Sequence, residues 1–190
     1  MRPARLLVTL YAALALLVPA AGAGAAEAWE RFFTKGLGDY KAELADARAA
    51  GKKGLVFVYQ QDPCPYCERM KARILSLPEV QKAYGAHFAA FSIDVRGSVE
   101  ITDFAGRRTT EGRYAREALV RGAPALDFYD LEGRLLARVP GEIDDPKTFL
   151  ALGDWIASGA HARQTFEQYR VARGLSGAPL KINVYKPANP

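Results

Sequence analysis

The chain has 190 residues, 49% of them hydrophobic and 25% charged, the balance of an ordinary folded domain. That excludes disorder throughout, a collagen-like or low-complexity chain and a polytopic membrane protein. The net charge of +5 is interspersed and marks no nucleic-acid partner, while two cysteines are too few for a disulfide scaffold or a four-cysteine metal site from one chain.

Residues 1–26 stand apart. Arg2 and Arg5 precede an apolar run over 6–18, Pro19 ends it, and Ala21-Gly22-Ala23-Gly24-Ala25-Ala26 follows. This three-part pattern predicts a cleaved secretory signal peptide, cut after Ala26. The competing reading is a membrane-anchored form facing the periplasm, but a spanning helix needs about 20 apolar residues and this run is shorter and ends in Gly/Pro sequence. Export to the periplasm would place the chain where disulfides form and persist.

A helix is predicted over 39–50, where Tyr40, Leu44 and Ala47 recur on one face, Asp39 is a good N-cap and Gly51 a good stop. Leu55-Val56-Phe57-Val58-Tyr59 reads as a buried central strand. A helix over 64–77 tolerates Pro65 because it falls in the first turn, and Pro78 opens a second helix. A strand over 87–95 follows, then a polar connection over 96–109 holding Ile101 and Phe104. The segment 110–120 reads as a helix with Tyr114, Ala118 and Leu119 facing inward. Strands over 125–129 and 135–139 flank the turn Asp130-Leu131-Glu132-Gly133. The segment 145–157 reads as a helix burying Phe149, Leu152, Trp155 and Ile156. One more helix fits 161–173, and 174–190 has the look of a loose tail. Alternating helices and strands of this kind predict an α/β layer with a parallel portion and a terminal hairpin.

The chemistry gathers at Cys64-Pro65-Tyr66-Cys67. The first turn of a helix has unpaired N–H groups and the positive end of the dipole. A thiolate on Cys64 is stabilised there, so its pKa is expected to fall from about 8.5 into a range of roughly 3.5–7.5. Cys67 lies one turn on, deeper, and its sulfur can reach that of Cys64. The exposed thiolate would attack a partner's disulfide and the second thiol would resolve the mixed disulfide. Other uses of the pair have less behind them. A staple closing so short a loop restricts the unfolded chain by only about 2 kcal/mol. A haem attachment needs His where Glu68 stands, and a zinc site needs two more ligands when only His87 and His161 remain. Two merely buried thiols fit poorly beside Asp62-Pro63, which reads as a surface loop.

Around the pair, Tyr66 is a candidate shield and flat contact surface, and solvent exposure alone is the simpler alternative. Asp62 either modulates Cys64 or simply forms a turn before Pro63. The Ala123-Pro124 peptide, between a helix and a strand start, is a candidate cis bond. His87 reads as a capping or packing residue, His161 as solvent-exposed, Trp155 as core, and Trp29 with Phe32 and Phe33 as an N-terminal docking element.

With the strand before Cys-X-X-Cys, the Cys64–Cys67 motif, Pro124, the hairpin after it and the last helix in place, the segment 39–158 resembles the thioredoxin superfamily. The resemblance implies a thioredoxin fold, a mixed central sheet flanked by helices, over a domain at 27–160, with a C-terminal helical extension and tail at 161–190. It implies Cys64 as nucleophile and Cys67 as resolving thiol. Pro124 would pack against them, and the Ala123 backbone would be offered to substrate. Gln61-Asp62-Pro63-Cys64-Pro65-Tyr66-Cys67, Ile101-Thr102-Asp103-Phe104-Ala105-Gly106 and Phe166-Glu167-Gln168-Tyr169 are further similar to the Sox-type periplasmic thioredoxins of thiosulfate oxidation, which are reductants of periplasmic partners. Two features depart from ordinary thioredoxins. Pro63 replaces the Trp before the first Cys, and Pro65-Tyr66 replaces Gly-Pro between the pair. Those two changes make one departure in the motif; the second is Val58 in the place of their buried acid, so that either water, Glu68 or Lys71 assists Cys67 or the resolving step is slower.

The expectation is therefore an exported, monomeric thiol–disulfide oxidoreductase whose only redox group is the Cys64–Cys67 pair, with no metal or other cofactor. It would act on a disulfide-containing periplasmic protein and be recharged by a membrane thiol-electron donor. Cys64 and Cys67 would be catalytic, Tyr66, Ala123 and Pro124 would bind substrate, and Asp62, Pro63 and Pro65 would modulate the pair. A disulfide oxidase or isomerase of the same fold, or a non-catalytic binding module, stays open at this point.

Overall fold

The computed structural model describes residues 27–185; the predicted signal segment lies outside them. The 3-10 turn Ala28–Phe32 leads to helix α1 (Tyr40–Ala49), which starts where the Asp39 carboxylate accepts the Ala42 amide. That bond satisfies one of the donors every helix start leaves unpaired. Strand β1 (Gly54–Gln60), buried along its whole length, runs into helix α2 (Pro65–Met70). Helix α3 (Pro78–His87) and strand β2 (Phe88–Asp94) follow. Next come the short strands β3 (Glu100–Thr102) and β4 (Arg108–Thr110), and helix α4 (Glu111–Glu117), capped by Thr110. Strands β5 (Ala125–Tyr129) and β6 (Leu135–Pro140) form a hairpin. Helix α5 (Pro146–Ala157) starts at Asp145, helix α6 (Phe166–Val171) carries a reciprocal Thr165–Gln168 capping box, and strand β7 (Asn183–Val184) ends the described chain.

The main sheet has the order β2-β1-β5-β6-β7. β1 pairs parallel with β2 and antiparallel with β5, and the other pairs are antiparallel. This is the expected mixed sheet, and its helices cover both faces. Strand side chains alternate between faces, so each strand feeds two cores. Val56, Val58, Leu126 and Phe128 join Met70, Ile74, Phe149 and Trp155 on one side. Leu55, Phe57, Tyr59 and Tyr129 join Tyr40, Leu44 and Ile101 on the other. Gly153 lets α5 approach α3: a Cβ there would lie 2.9 Å from the Tyr84 ring. Tyr84 stacks on Phe149 at 4.4 Å and donates its hydroxyl to the Phe149 carbonyl.

Several expectations change. The polar connection over 96–109 contains the β3–β4 hairpin, because Asp103 accepts the Ala105 and Arg107 amides and closes its turn. Leu119 does not face inward: it is 67% exposed and sits at φ 59, where the chain leaves α4 in a left-handed conformation. His87 ends α3 rather than opening β2, and its carbonyl accepts the Lys53 amide. The helix over 64–77 is interrupted after α2 by a π turn at Lys71–Leu75. The helix over 161–173 shrinks to α6, since 160–162 forms a separate 3-10 turn after Gly159. The segment expected as a loose tail packs Leu175, Leu180 and Ile182 against the core and pairs β7 with β6 at the sheet edge.

Candidate active site

β1 delivers the chain to the end of the sheet, where Asp62 and Pro63 are exposed and the Asp62-Pro63 peptide is cis. Cys64 is the N-cap of α2, with extended backbone at φ −151 and ψ 92, and Pro65 fills the first turn, where a missing N–H is no loss. Cys64 and Cys67 form a disulfide with their Cα atoms 5.2 Å apart. The Cys64 Sγ accepts the Cys67 amide at 3.1 Å, so the sulfur occupies the position an N-capping oxygen usually holds. This geometry gives negative charge on that sulfur a backbone donor and the positive end of a helix.

Cys64 is less open than its sequence setting suggests. It is 5% exposed and Cys67 2%. The covering element is the loop before β5, whose Ala123-Pro124 peptide is cis and whose Ala123 carbonyl oxygen lies 3.7 Å from the Cys64 Sγ. Pro124 is buried and Ala123 half-buried. The structure thus brings Ala123 and Pro124 onto the cysteine pair. Tyr66 is 56% exposed at the rim, and Pro65 also faces solvent.

The residues that hold Tyr66 were not legible in the sequence. The Arg69 guanidinium lies 4.5 Å from the Tyr66 ring centroid. It is gripped in turn by Glu142, which accepts from Arg69 Nε at 3.1 Å and from Nη2 at 2.7 Å. Glu142 belongs to the loop between β6 and α5, far from Arg69 in sequence, and only the fold brings them together. Behind the pair, Lys71 Nζ meets Glu68 at 2.8 Å and lies 4.4 Å from the Trp29 ring centroid. Trp29 and its 3-10 turn dock on the π turn that follows α2, and π turns recur near functional sites.

Val58 is fully buried in the core on the α2 side. The most deeply buried carboxylate among the described residues is Asp127, on the opposite face. Arg138 donates to both its oxygens, at 2.6 and 2.5 Å, and the Tyr59 and Tyr129 hydroxyls reach it at 3.0 and 3.1 Å. The charge-assisted hydrogen bonds raise the Arg138 pKa above its ordinary value. Burial raises Tyr59 and Tyr129, with the Asp127 charge adding to it, and pushes Tyr114 up to about 12. A signal for this pair was present: Asp127 and Arg138 interrupt two apolar strands at facing hairpin positions, and they are direct cross-strand partners.

His161 is half-buried beside Trp155, not solvent-exposed, and its Nδ1 is enclosed without a hydrogen-bond partner. Among the described residues no three His, Cys, Asp or Glu side chains gather as a metal-binding group. No helix of the described residues is long and apolar enough to cross a membrane.

A family model described as a thioredoxin-like domain matches residues 40–156. Among solved structures, a thioredoxin-fold protein from Helicobacter pylori superposes with a TM-score of 0.61. Its identity is 18%, over 77% of this chain and 94% of its own. DsbH oxidoreductase superposes at 0.50, with 21% identity over 63% of this chain and 82% of its own. These likenesses show the fold. A search of curated protein sequences finds no match.

Proposed function

Since the chain belongs to the thioredoxin-like domain family, we propose that it is an exported thiol–disulfide oxidoreductase that reduces disulfides in partner proteins. The observation that carries this reading is the Cys64 sulfur at the start of α2, bonded to Cys67, donated to by the Cys67 amide and touching the Ala123 carbonyl. A structural staple needs neither a helix-capping sulfur nor a neighbouring backbone carbonyl presented to it.

The described state is the oxidised one. A dithiol donor first transfers two electrons, opening the Cys64–Cys67 bond. The Cys64 thiolate then attacks one sulfur of a substrate disulfide, forming a mixed disulfide and releasing the other sulfur as thiolate. The Cys67 thiol gives up its proton and attacks the Cys64 Sγ, which expels the second substrate sulfur as thiolate and restores the bond. Cys64 and Cys67 are the catalytic residues. Ala123, Pro124 and Tyr66 hold the substrate chain, while Asp62, Pro63 and Pro65 shape the approach to the sulfur. No metal or other cofactor takes part.

The composition of residues 1–26 supports a cleaved signal peptide and a periplasmic location, and there the donor would be a membrane protein bearing thiols. In this reading residues 27–160 are the redox domain, residues 161–190 are its extension, and the protein acts as a monomer. The narrower assignment to the Sox-type periplasmic thioredoxins, and with it a role in sulfur oxidation, rests on three sequence segments. Of these only Gln61-Asp62-Pro63-Cys64-Pro65-Tyr66-Cys67 lies at the site.

The test is turnover of an insulin-type protein disulfide with a dithiol reductant. Activity that disappears in Cys64→Ser is expected, as is a Cys67→Ser variant that holds its substrate on Cys64. No turnover by the unmutated protein would reduce it to a binding module. A reduction potential near that of a strong oxidant, about −120 mV, would reverse the direction of electron flow.

A further inference from the structure

The site described above ends at the Ala123-Pro124 peptide, but the surface depression beside it does not. An open groove of about 660 Å³ continues from that peptide between the end of α4 and the β6–β7 edge. Such a volume lies within the range of about 300–1,000 Å³ typical of pockets that hold small ligands. Its walls include Leu119, Arg121, Pro124, Leu135, Pro140 and Tyr185.

Three properties say what belongs there. First, position: the groove starts at the residue whose carbonyl touches the Cys64 sulfur at 3.7 Å, so a polypeptide reacting at Cys64 has this depression in its path. Second, apolar exposure: Leu119 is 67% exposed and Tyr185 40%, two of the large hydrophobic side chains the fold leaves in water. Leu119 sits at φ 59, a left-handed conformation that L-residues rarely adopt. Third, charge: among the described residues that line the groove none is acidic. Arg138 is committed to Asp127, but Arg121 is exposed and has no ion-pair partner among the described residues.

We propose that this groove receives the substrate polypeptide beyond its reacting cysteine, and that Leu119, Arg121 and Tyr185 select a chain bearing an apolar residue and a carboxylate there. The C-terminal segment then has a role: by pairing β7 with β6 it carries Tyr185, whose amide donates to the Leu136 carbonyl, to the wall of the groove. This inference rests on the oxidoreductase reading and adds a substrate class to it.

The experiment uses the mature chain with dithiothreitol as reductant. The probes are synthetic peptides whose single cysteine is joined by a disulfide to a small thiol. Leucine and aspartate stand two and three residues away on either side, and a matched set carries lysine for aspartate. The unmutated protein is expected to favour the aspartate peptides in kcat/KM by about tenfold, and Arg121→Glu to reverse that preference. Tyr185→Ala is expected to lower kcat/KM on the leucine peptides about fivefold relative to alanine controls. Equal rates on both sets, unmoved by Arg121→Glu, would overturn the groove while leaving the redox reading standing; failure to turn over any peptide would remove the redox reading itself. Deletion of residues 186–190 is expected to leave the preference unchanged. A large gain on deletion would assign the groove to the chain's own end, and a rate per molecule that falls with protein concentration would assign it to a second copy; either overturns the proposal.

Discussion

The two faces of the central sheet solve different problems. On the face covered by α2, α3 and α5 the core is apolar, and the cysteine pair is the chemically special group beside it. On the face covered by α1 and α4, aromatic rings surround a buried ion pair, Asp127 with Arg138, tied into Tyr59 and Tyr129. The same strands serve both, because adjacent side chains point to opposite faces: Leu126 and Asp127 are neighbours in β5 and lie in different environments. The Asp127 charge is thus buried with a guanidinium to neutralise it, on the face away from the redox helix. Where thioredoxins bury an acid to serve the second cysteine, Val58 stands, and the nearest charged groups in sequence, Glu68 and Lys71, are bound to each other at the surface.

This contrast can be broken most directly at Asp127. Asp127→Ala leaves Arg138 buried without its counter-charge, and removing one partner of a buried pair costs about 3–5 kcal/mol. The urea midpoint should fall accordingly, while thiol–disulfide turnover of the folded fraction stays unchanged. A parallel loss of turnover at full folding would mean that the two faces are coupled. The contrast can also be sharpened by giving the redox face the acid it lacks. Val58→Asp places a carboxyl in an apolar core, at a stability cost of about 1–3 kcal/mol, and desolvation raises its pKa. The release of substrate from the Cys64 mixed disulfide should then acquire a pH dependence, with a midpoint above the ordinary carboxylate range, that the unmutated protein lacks.

The redox face was the more legible of the two. The β1 run, the Pro-bearing helix start and the hairpin after Pro124 are local patterns, and the structure places Cys64, Cys67, Ala123 and Pro124 together as the family resemblance carried by those patterns implies. What escaped depends on pairs distant in the chain. Arg69 and Glu142 look like separate surface charges until the fold brings the β6–α5 loop over α2. The β3–β4 hairpin escaped because its strands are three residues long and held by an Asp103 turn rather than by apolar alternation. Leu119 was misread because a helical face was extended past the point where α4 ends and the backbone reverses its φ. β7 has only two residues, too few for any periodicity, and its place is decided by the free edge of β6.

Asp103 offers a milder disturbance of the aromatic face. Burial works against its charge, but hydrogen bonds from the Arg107 and Ala105 amides and from the Arg107 guanidinium outweigh that and hold its pKa below the ordinary value. A depressed carboxyl contributes stability above its unfolded pKa of about 3.9, and that contribution is lost as pH falls through the folded value. Asp103→Asn should therefore cost about 1.5–3 kcal/mol at neutral pH. The gap from the unmutated protein, followed by urea unfolding, should start to narrow below about pH 4 and close as pH falls through the lower folded value; a gap that persists in strong acid would show that the carboxylate charge is not what holds the β3–β4 turn.

The smallest effect on stability is expected at the rim of the redox face, where it separates packing from recognition. Glu142 holds Arg69 by two hydrogen bonds, and Arg69 covers one side of the Tyr66 ring. The pair is partly exposed, with side chains 43% and 14% accessible, so solvent screens it and Glu142→Ala should leave the urea midpoint almost unchanged. The consequence lies in positioning. Without Glu142 the guanidinium is free to leave the ring, and Tyr66 loses the contact that orients it beside Cys64. A protein substrate that lays a flat surface on Tyr66 should then bind less tightly, with KM rising about two- to fivefold and kcat unchanged, as removal of uniform binding requires. Glu142→Gln keeps one acceptor for Arg69 and should restore most of that loss. If kcat fell while KM held, Tyr66 would be acting on the sulfur chemistry rather than on the partner's surface.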